Sequence, residues 1–187
     1  MSTVKVGDLL SRVKDVVIIE DDVSYKRVTI KTKGQGVFLR DIEVGKNIGT
    51  KRQFLIKENQ FLLSKIDARY GAFGIVPREL DGAIITGNFW TYDVDETEVD
   101  INWFTNFVTT ERFINICEKT SSGTTNRKYL DEDQFLNFEL ELPEMEEQLK
   151  VVEKLRKIQS MFEEIERQKS IITALKKVIL NESFNIG

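Results

Sequence analysis

The chain has no histidine, one cysteine and two prolines among its 187 residues. Without histidine it cannot form a Ser-His or Cys-His catalytic pair, and the common zinc sites that use histidine are also excluded. Its single cysteine, Cys117, excludes an internal disulfide and is typical of a protein from a reducing cytoplasm. Because Cys117 falls in an apolar helical pattern, we expect it to be a buried structural thiol.

Long apolar runs and catalytic motifs are also missing. The sequence contains no run of about 18 apolar residues, so no transmembrane helix is predicted. The first ten residues also lack the apolar core of a signal peptide. None of the lysines has Asp or Glu two positions before it, as the commonest nuclease sites require. A phosphate-binding G-x-x-x-x-G-K-[ST] loop is absent, and so is the Pro-Pro pair of DNA amino-methyltransferases. These absences argue against a nuclease or methyltransferase and predict a non-catalytic chain that binds no cofactor.

The last quarter of the chain predicts one long helix. Residues 144–184 contain neither glycine nor proline, and Pro143 is suited to the first position of a helix. At 1.5 Å per residue this helix would be roughly 60 Å long, more than the width of a domain of ~140 residues. β-Branched residues recur in it at every seventh position, which is typical of a coiled-coil seam. These are Val151, Ile158, Ile165, Ile172 and Ile179.

A second, less regular apolar row accompanies this seam. It consists of Leu155, Met161, Phe162, Leu175 and Val178. We therefore predict a coiled-coil helix over residues 143–187 that binds a partner. The alternative is an amphipathic helix that lies along its own domain.

Residues 1–142 predict a separate domain of short strands divided by glycine-containing turns, which is typical of a curved mixed sheet or partial barrel. Asp100 is expected to cap a single helix with an aromatic stripe through to Cys117, and Asp8 and Asp131 to cap shorter ones. Residues 121–129 are expected to form a polar loop. The predicted fold class is thus α+β. The candidate strands are residues 16–19, 25–32, 37–40, 54–56, 61–66, 73–76, 83–86, 89–94 and 138–142.

Charge is distributed unevenly along the chain, although the net charge is only −4. Residues 23–57 carry nine basic and two acidic residues, whereas residues 129–187 carry eight basic and thirteen acidic residues. Residues 23–57, which we call the basic front, favour an anionic partner. Its lysines and arginines suit phosphates, while glutamine and arginine side chains can read adenine and guanine.

Two polar stretches have the composition of a double-stranded DNA interface. From the first we select Lys31, Lys33, Gln35, Arg40, Lys51, Arg52 and Gln53. From the second we select Ser122, Thr124, Thr125, Asn126, Arg127 and Lys128, because hydroxyls, amides and cations bind phosphates and base edges. Gln35, Arg52, Asn126 and Arg127 are the leading candidates for base readout, with Tyr70 and Trp90 next.

Several motifs resemble the specificity subunits of type I restriction–modification enzymes. They are the run Phe61-Leu-Leu-Ser-Lys-Ile-Asp-Ala-Arg-Tyr-Gly-Ala-Phe-Gly-Ile-Val-Pro77, Asp81-Gly-Ala-Ile-Ile85 with Asn88-Phe89, the 122–130 loop, and Leu142-Pro143 followed by Glu147-Gln148. The resemblance implies a target-recognition domain that reads half of a bipartite DNA site, and a helix that docks methyltransferase (M) and restriction (R) subunits. It adds Arg69 and Tyr70 to the candidate DNA-binding residues. S-adenosylmethionine, ATP and Mg would belong to the partner subunits, in a bacterial or archaeal cytoplasm.

The chain departs from the family in one respect. Full members have two recognition domains and two helical regions, whereas this chain has one of each. We therefore expect either a fragment of a longer subunit or a half-subunit that forms an antiparallel homodimer through the helix. The predicted pairing residues are Val151, Leu155, Ile158, Phe162, Ile165, Ile172, Leu175 and Ile179. The alternative function is a coiled-coil scaffold whose basic front binds an acidic protein.

Overall fold

The computed structural model describes residues 1–124 and 127–184. The chain divides into two compact units, Met1–Gln148 and a second unit from Leu149 onward. In the described part of the chain, no helix combines the length and the apolar character needed to cross a bilayer.

The first unit has the predicted α+β composition. Its strands are β1 (Ser2–Lys5), β2 (Leu10–Val13), β3 (Asp15–Ile18), β4 (Ser24–Lys31), β5 (Gly36–Val44), β6 (Arg52–Leu55), β7 (Phe61–Ser64), β8 (Phe73–Ile75), β9 (Ile84–Ile85), β10 (Phe89–Val94), β11 (Ser121–Thr124), β12 (Arg127–Leu130) and β13 (Glu139–Leu142). The helices of the chain are α1 (Val6–Leu9), α2 (Ile101–Phe107), α3 (Glu111–Lys119), α4 (Glu132–Leu136) and α5 (Met145–Phe184). Short 3₁₀ turns occur at Gly45–Asn47, Ala68–Tyr70 and Arg78–Leu80.

The strands form two larger sheets and two strand pairs. The five-stranded sheet has the order β3-β6-β9-β4-β5 and is mixed, because β4 and β9 run parallel while its other neighbours are antiparallel. The four-stranded sheet has the order β2-β10-β7-β8 and is antiparallel throughout. β1 pairs with β13, and β11 pairs with β12. The long β4–β5 hairpin thus extends from one edge of the five-stranded sheet.

Phe113 lies in the middle of an aromatic cluster that joins the four-stranded sheet to the helices. Its ring centroid is 5.0 Å from that of Phe73 and 5.5 Å from that of Phe107, both edge-on, the geometry that aromatic pairs prefer. A second apolar cluster lies against the five-stranded sheet. Its buried members are Val28, Val37, Ile56, Leu62, Val76, Leu80, Ala83 and Ile85.

The helix predicted after Asp100 is in fact two helices. Asp100 caps α2 as expected, with its side chain accepting a hydrogen bond from the backbone N–H of Trp103. The chain then turns, and Thr110 caps α3 by accepting from the N–H of Phe113. The threonine hydroxyl satisfies a backbone N–H at the start of α3, and this favours a new helix start over continuation of α2. The apolar spacing continues across this break and therefore wrongly predicted a single helix.

Three other local predictions need correction. Asp8 lies inside α1 and accepts from the N–H of Lys5, instead of capping a helix that starts after it. Residues 121–124 and 127–130 pair as antiparallel strands, where an irregular polar loop was predicted. Helix α5 begins at Met145, two residues after Pro143. In contrast, Asp131 caps α4 as predicted, with its side chain accepting from the N–H of Gln134.

Helix α5 continues without a break for 40 residues. Its apolar row is exposed in the single chain, from Val151 at 40% exposure to Ile172 at 65%. Charged neighbours along the helix pair one turn apart, for example Glu164 with Arg167 at 2.8 Å. Such pairs contribute little individually, so an exposed apolar row of this length is the dominant feature of the second unit.

Candidate nucleic-acid interface

The β4–β5 turn brings the first group of predicted residues together. Lys31 ends β4, and Lys33 and Gln35 project from the following turn, all three with exposed side chains. The turn docks onto the 3₁₀ turn at Ala68–Tyr70 through its backbone. The N–H of Lys33 donates to the carbonyl of Tyr70 at 2.6 Å, and the N–H of Gly34 donates to that of Gly71 at 2.9 Å.

Arg69 and Tyr70 therefore lie beside the tip of the β4–β5 hairpin. Tyr70 is exposed, and the Arg69 guanidinium lies 4.5 Å from the centre of its ring. The Nε of Arg69 is buried and has no hydrogen-bond partner among the described residues. An unpaired buried donor is uncommon in native proteins.

The β11–β12 hairpin is anchored to the same region. The N–H of Leu130 donates to the carbonyl of Lys65 at 2.8 Å, and β12 contacts the 3₁₀ turn at Ala68–Tyr70. Ser122 is exposed and Lys128 half-buried on this hairpin. Thr125 and Asn126 lie outside the described residues, as do the side chains of Thr124 and Arg127. Three polar segments far apart in sequence are thus gathered at one place.

Arg40 occupies a different position, in the middle of β5. The β4–β5 register shifts there, with Arg27 opposite Asp41 but Val28 opposite Leu39, so Arg40 is the extra residue of a β-bulge. Bulges redirect side chains and are common beside functional sites. Arg40 is exposed and lines a cleft of about 580 Å³.

The three predicted residues at β6 are dispersed. Lys51 donates to Asp21 at 2.6 Å and to the carbonyl of Gly45 at 2.7 Å, so its charge is paired and it fixes a loop. Gln53 is 4% exposed, and its amide nitrogen donates to the carbonyl of Thr50 at 2.8 Å. Arg52, in contrast, is exposed, with its guanidinium 5.2 Å from the centre of the Phe54 ring.

Ion pairs reduce the charge of the basic front. Arg27 donates twice to Asp41, at 2.6 and 2.8 Å. The hydrogen bond from Arg27 lowers the pKa of the Asp41 carboxyl and raises the pKa of the guanidinium. Lys57 pairs with Asp15 at 3.2 Å. Asp15 and Asp21 lie outside residues 23–57 but neutralise lysines within that range. The sum of charges over residues 23–57 therefore overstates the positive charge that is available to a partner.

A second cleft of about 310 Å³ adjoins the first, since Ile85 and Phe89 line both. Its lining is basic and aromatic, with no carboxylate among the described residues that line it. The cations are Arg12, Lys14 and Arg52, and the aromatic rings are Phe54, Phe89 and Trp90.

Sequence reasoning missed most of this second cleft. The Arg12 guanidinium lies 4.8 Å from the centre of the Trp90 ring, and the Lys65 ammonium 5.8 Å from it. Arg12 also pairs with Glu132 at 2.6 Å, and Glu132 accepts the hydroxyl of Tyr92 at 2.8 Å. Desolvation, and then this hydrogen bond, raise the pKa of Tyr92. Alternation along β10 puts Trp90 and Tyr92 on one face, but the pairing of Tyr92 with Arg12 could not be deduced from the sequence.

Comparisons with solved structures show the same fold in three type I restriction–modification proteins. The HsdS subunit from Thermoanaerobacter tengcongensis aligns with 97% of this chain and 47% of its own, at TM-score 0.66 and 14% identity. A structure described as showing complex assembly and conformational transition of the type I R-M system aligns with 98% of this chain and 48% of its own, at TM-score 0.68 and 14% identity. The S subunit from M. genitalium aligns with 94% of this chain and 42% of its own, at TM-score 0.55 and 14% identity.

This chain therefore spans slightly less than half the length of each of these proteins. A search of curated proteins found no match. A family model described as the type I restriction modification DNA specificity domain matches residues 4–175, which include the candidate interface and most of α5. The chain belongs to the type I restriction–modification DNA specificity domain family, as its motifs predicted.

Proposed function

We propose that this chain is a non-catalytic specificity component that reads one half of a bipartite DNA site and docks methyltransferase and restriction subunits. The main support is the meeting of the β4–β5 turn, the 3₁₀ turn at Ala68–Tyr70 and the β11–β12 hairpin. These segments offer exposed cations, amides and hydroxyls at the ends of rigid strands, which is the chemistry of phosphate and base contacts. The two adjoining clefts extend this surface with further cations.

The exposed row on α5 supports the partner-binding part of the proposal. Apolar residues that recur every seven positions are typical of the seam along which one helix packs against another in a coiled coil. We propose a domain boundary near residue 142, with residues 143–187 serving dimerisation and subunit docking. Two copies paired antiparallel would place one recognition domain at each end, so the recognised half-sites would be inverted repeats.

Mapping the methylated positions in DNA is the direct test of this function. The full chain is mixed with its partner methyltransferase, S-adenosylmethionine and a library of duplexes. We expect methylation only at two short motifs separated by a fixed spacer. Methylation that does not depend on this chain, or that ignores sequence, would contradict the proposal.

The scaffold function remains the second candidate, because exposed cations attract acidic protein surfaces as well as phosphates, and ion pairs leave only part of the basic front available to either partner. Arg27, Lys51 and Lys57 each face a carboxylate. Retention on duplex DNA at increasing salt separates the two functions. Binding that weakens steeply with salt supports DNA, whereas no retention at low salt together with capture of an acidic protein supports the scaffold.

Lys33 provides a quantitative test of the phosphate contacts. Its side chain is exposed on the β4–β5 turn, and no ion pair holds it among the described residues. Lys33→Ala is expected to weaken binding to all duplexes alike and to lower the salt slope by about 0.9, the value for one lost phosphate contact. The matched control is Lys154→Ala, the same change on α5. Equal slopes for both variants and the wild type would remove this turn from the interface.

A further inference from the structure

The β4–β5 turn is held almost entirely by its backbone. Lys33 and Gly34 adopt left-handed conformations, with φ of 62° and 65°. Their N–H groups are the donors that bind the carbonyls of Tyr70 and Gly71. Neither contact uses a side chain of the turn, so its position depends on backbone geometry and not on which side chains it carries.

Two glycines make this close approach possible. A Cβ atom added to Gly71 would lie 2.7 Å from the nitrogen of Gly34 and 2.9 Å from that of Lys33. A Cβ added to Gly74 would lie 2.8 Å from the Cα of Gly36. Real Cβ atoms do not come so near to backbone atoms, and backbone cannot rotate away as a side chain can. Only glycine at both positions allows the turn to sit where it does.

The turn is also enclosed from the helical side. A Cβ added to Gly34 would lie 3.0 Å from the Cα of Thr109, in the connection between α2 and α3. The turn is therefore held between this connection and the segment Gly71–Gly74. Such a tip has little freedom to move when it meets a ligand.

The side chains carried by this fixed turn differ in their availability. The Lys31 ammonium lies 4.3 Å from the centre of the Phe38 ring. Gln35 is exposed and has no side-chain hydrogen bond among the described residues. Its amide is both donor and acceptor, and it is the group that pairs with the N6 and N7 edge of adenine in the major groove.

We infer that Gly71 and Gly74 are positioning residues that hold the β4–β5 turn as a fixed platform, and that Gln35 on this platform determines one base pair of the recognised half-site. This inference rests on the proposed function and names the residue that reads one base pair. Because backbone contacts fix the platform, residue 35 can be exchanged without moving it. A change at this position should alter which base pair is read and leave the rest of the recognised sequence unchanged.

Selection of bound duplexes from a randomised library by the full chain tests this inference. Gln35→Ala is expected to reduce the preference at one base pair by about 5- to 150-fold, the range for one lost bidentate contact. Gln35→Arg is expected to change the preferred pair at that same position from A·T to G·C. Gly71→Ala is expected to abolish the preference at that position. Because the displaced turn also carries Lys33, binding to non-specific duplex should weaken only as far as it does in Lys33→Ala.

Gly82→Ala is the matched control for the glycine variant. Gly82 has φ +72, close to the +77 of Gly71, but an added Cβ there would meet no atom within 4 Å. Gly82→Ala therefore imposes a similar backbone strain without displacing the β4–β5 turn. The base preference of this variant should equal that of the wild type. If Gly71→Ala fails to fold, the two substitutions of the exposed Gln35 still test whether this residue reads a base pair.

The outcomes separate this inference from the proposed function. If the wild type selects a sequence and both Gln35 variants select the same one, Gln35 does not read a base and the inference is overturned. If Gly71→Ala keeps the wild-type preference, the positioning role is overturned. If the wild type binds no duplex under any salt condition, the proposed function itself fails.

Discussion

Replacing Ile165 with aspartate is expected to convert the proposed antiparallel dimer into a monomer. Ile165 is the middle member of the seven-residue repeat on α5 and is 55% exposed in the single chain. In an antiparallel pair, the two copies of this residue would meet at the two-fold axis. The substitution would bury two like charges there without partners, and we expect a loss of about 3 kcal/mol or more. That corresponds to a dimer dissociation constant raised about a hundredfold or more.

Light scattering at tens of micromolar protein measures this effect. Ser170→Asp is the control, because it adds the same charge to the same helix on the side facing away from the seam. It should leave the mass of the dimer unchanged. A wild-type chain that is monomeric at this concentration would contradict the half-subunit hypothesis and favour a fragment of a longer subunit. Cross-linking of the two C-termini to each other would contradict antiparallel pairing while leaving DNA binding untouched.

Replacing Gln148 with leucine is expected to destabilise the first unit strongly. Gln148 is fully buried. Its amide oxygen accepts from the N–H of Asp100 at 2.9 Å, and its nitrogen donates to the carbonyls of Pro143 and Glu98 at 2.8 and 3.2 Å. Leucine fills a similar volume but leaves all three backbone groups without this partner. We expect a loss of about 3 kcal/mol, since each unsatisfied buried group costs about 1–3 kcal/mol.

Thermal unfolding at a fixed protein concentration checks this expectation. For a chain of this size the loss corresponds to a melting temperature lower by about 6–12 °C. Gln159→Leu is the control, because Gln159 lies on the same helix, and its exposed side chain has Glu163 as its one hydrogen-bond partner among the described residues. Its effect should stay within about 0.5 kcal/mol. Equal melting temperatures for the two variants would show that the buried amide contributes nothing.

Local signals in the sequence predicted the fold well where a single segment decides its own structure. The bounds of β10 and the caps at Asp100 and Asp131 agree with the structure. Each of these depends on neighbours within a few residues. The break at Thr110 was missed because the apolar spacing continues across it.

The candidate site was predicted less completely, because it depends on pairings between distant residues. Whether a lysine is available or neutralised depends on its partner, as Lys51 with Asp21 illustrates. The register that brings Arg12 to Trp90 and Tyr92 is likewise set by strand pairing. Residue type alone identified Lys33, Gln35 and Arg52 as exposed polar groups, but it could not distinguish them from Gln53, which is buried.

The pairing of β1 with β13 has a consequence for how the protein is made. Ser2 lies opposite Leu142, so the first strand of the domain has no partner until nearly the whole domain has been synthesised. Contacts of such long range form slowly, and domains fold as units during translation. The apolar row of α5 follows β13 in the sequence and therefore emerges from the ribosome after it. Nascent chains therefore expose the apolar row of α5 only after all the described strands have been synthesised, which limits association between incompletely folded copies.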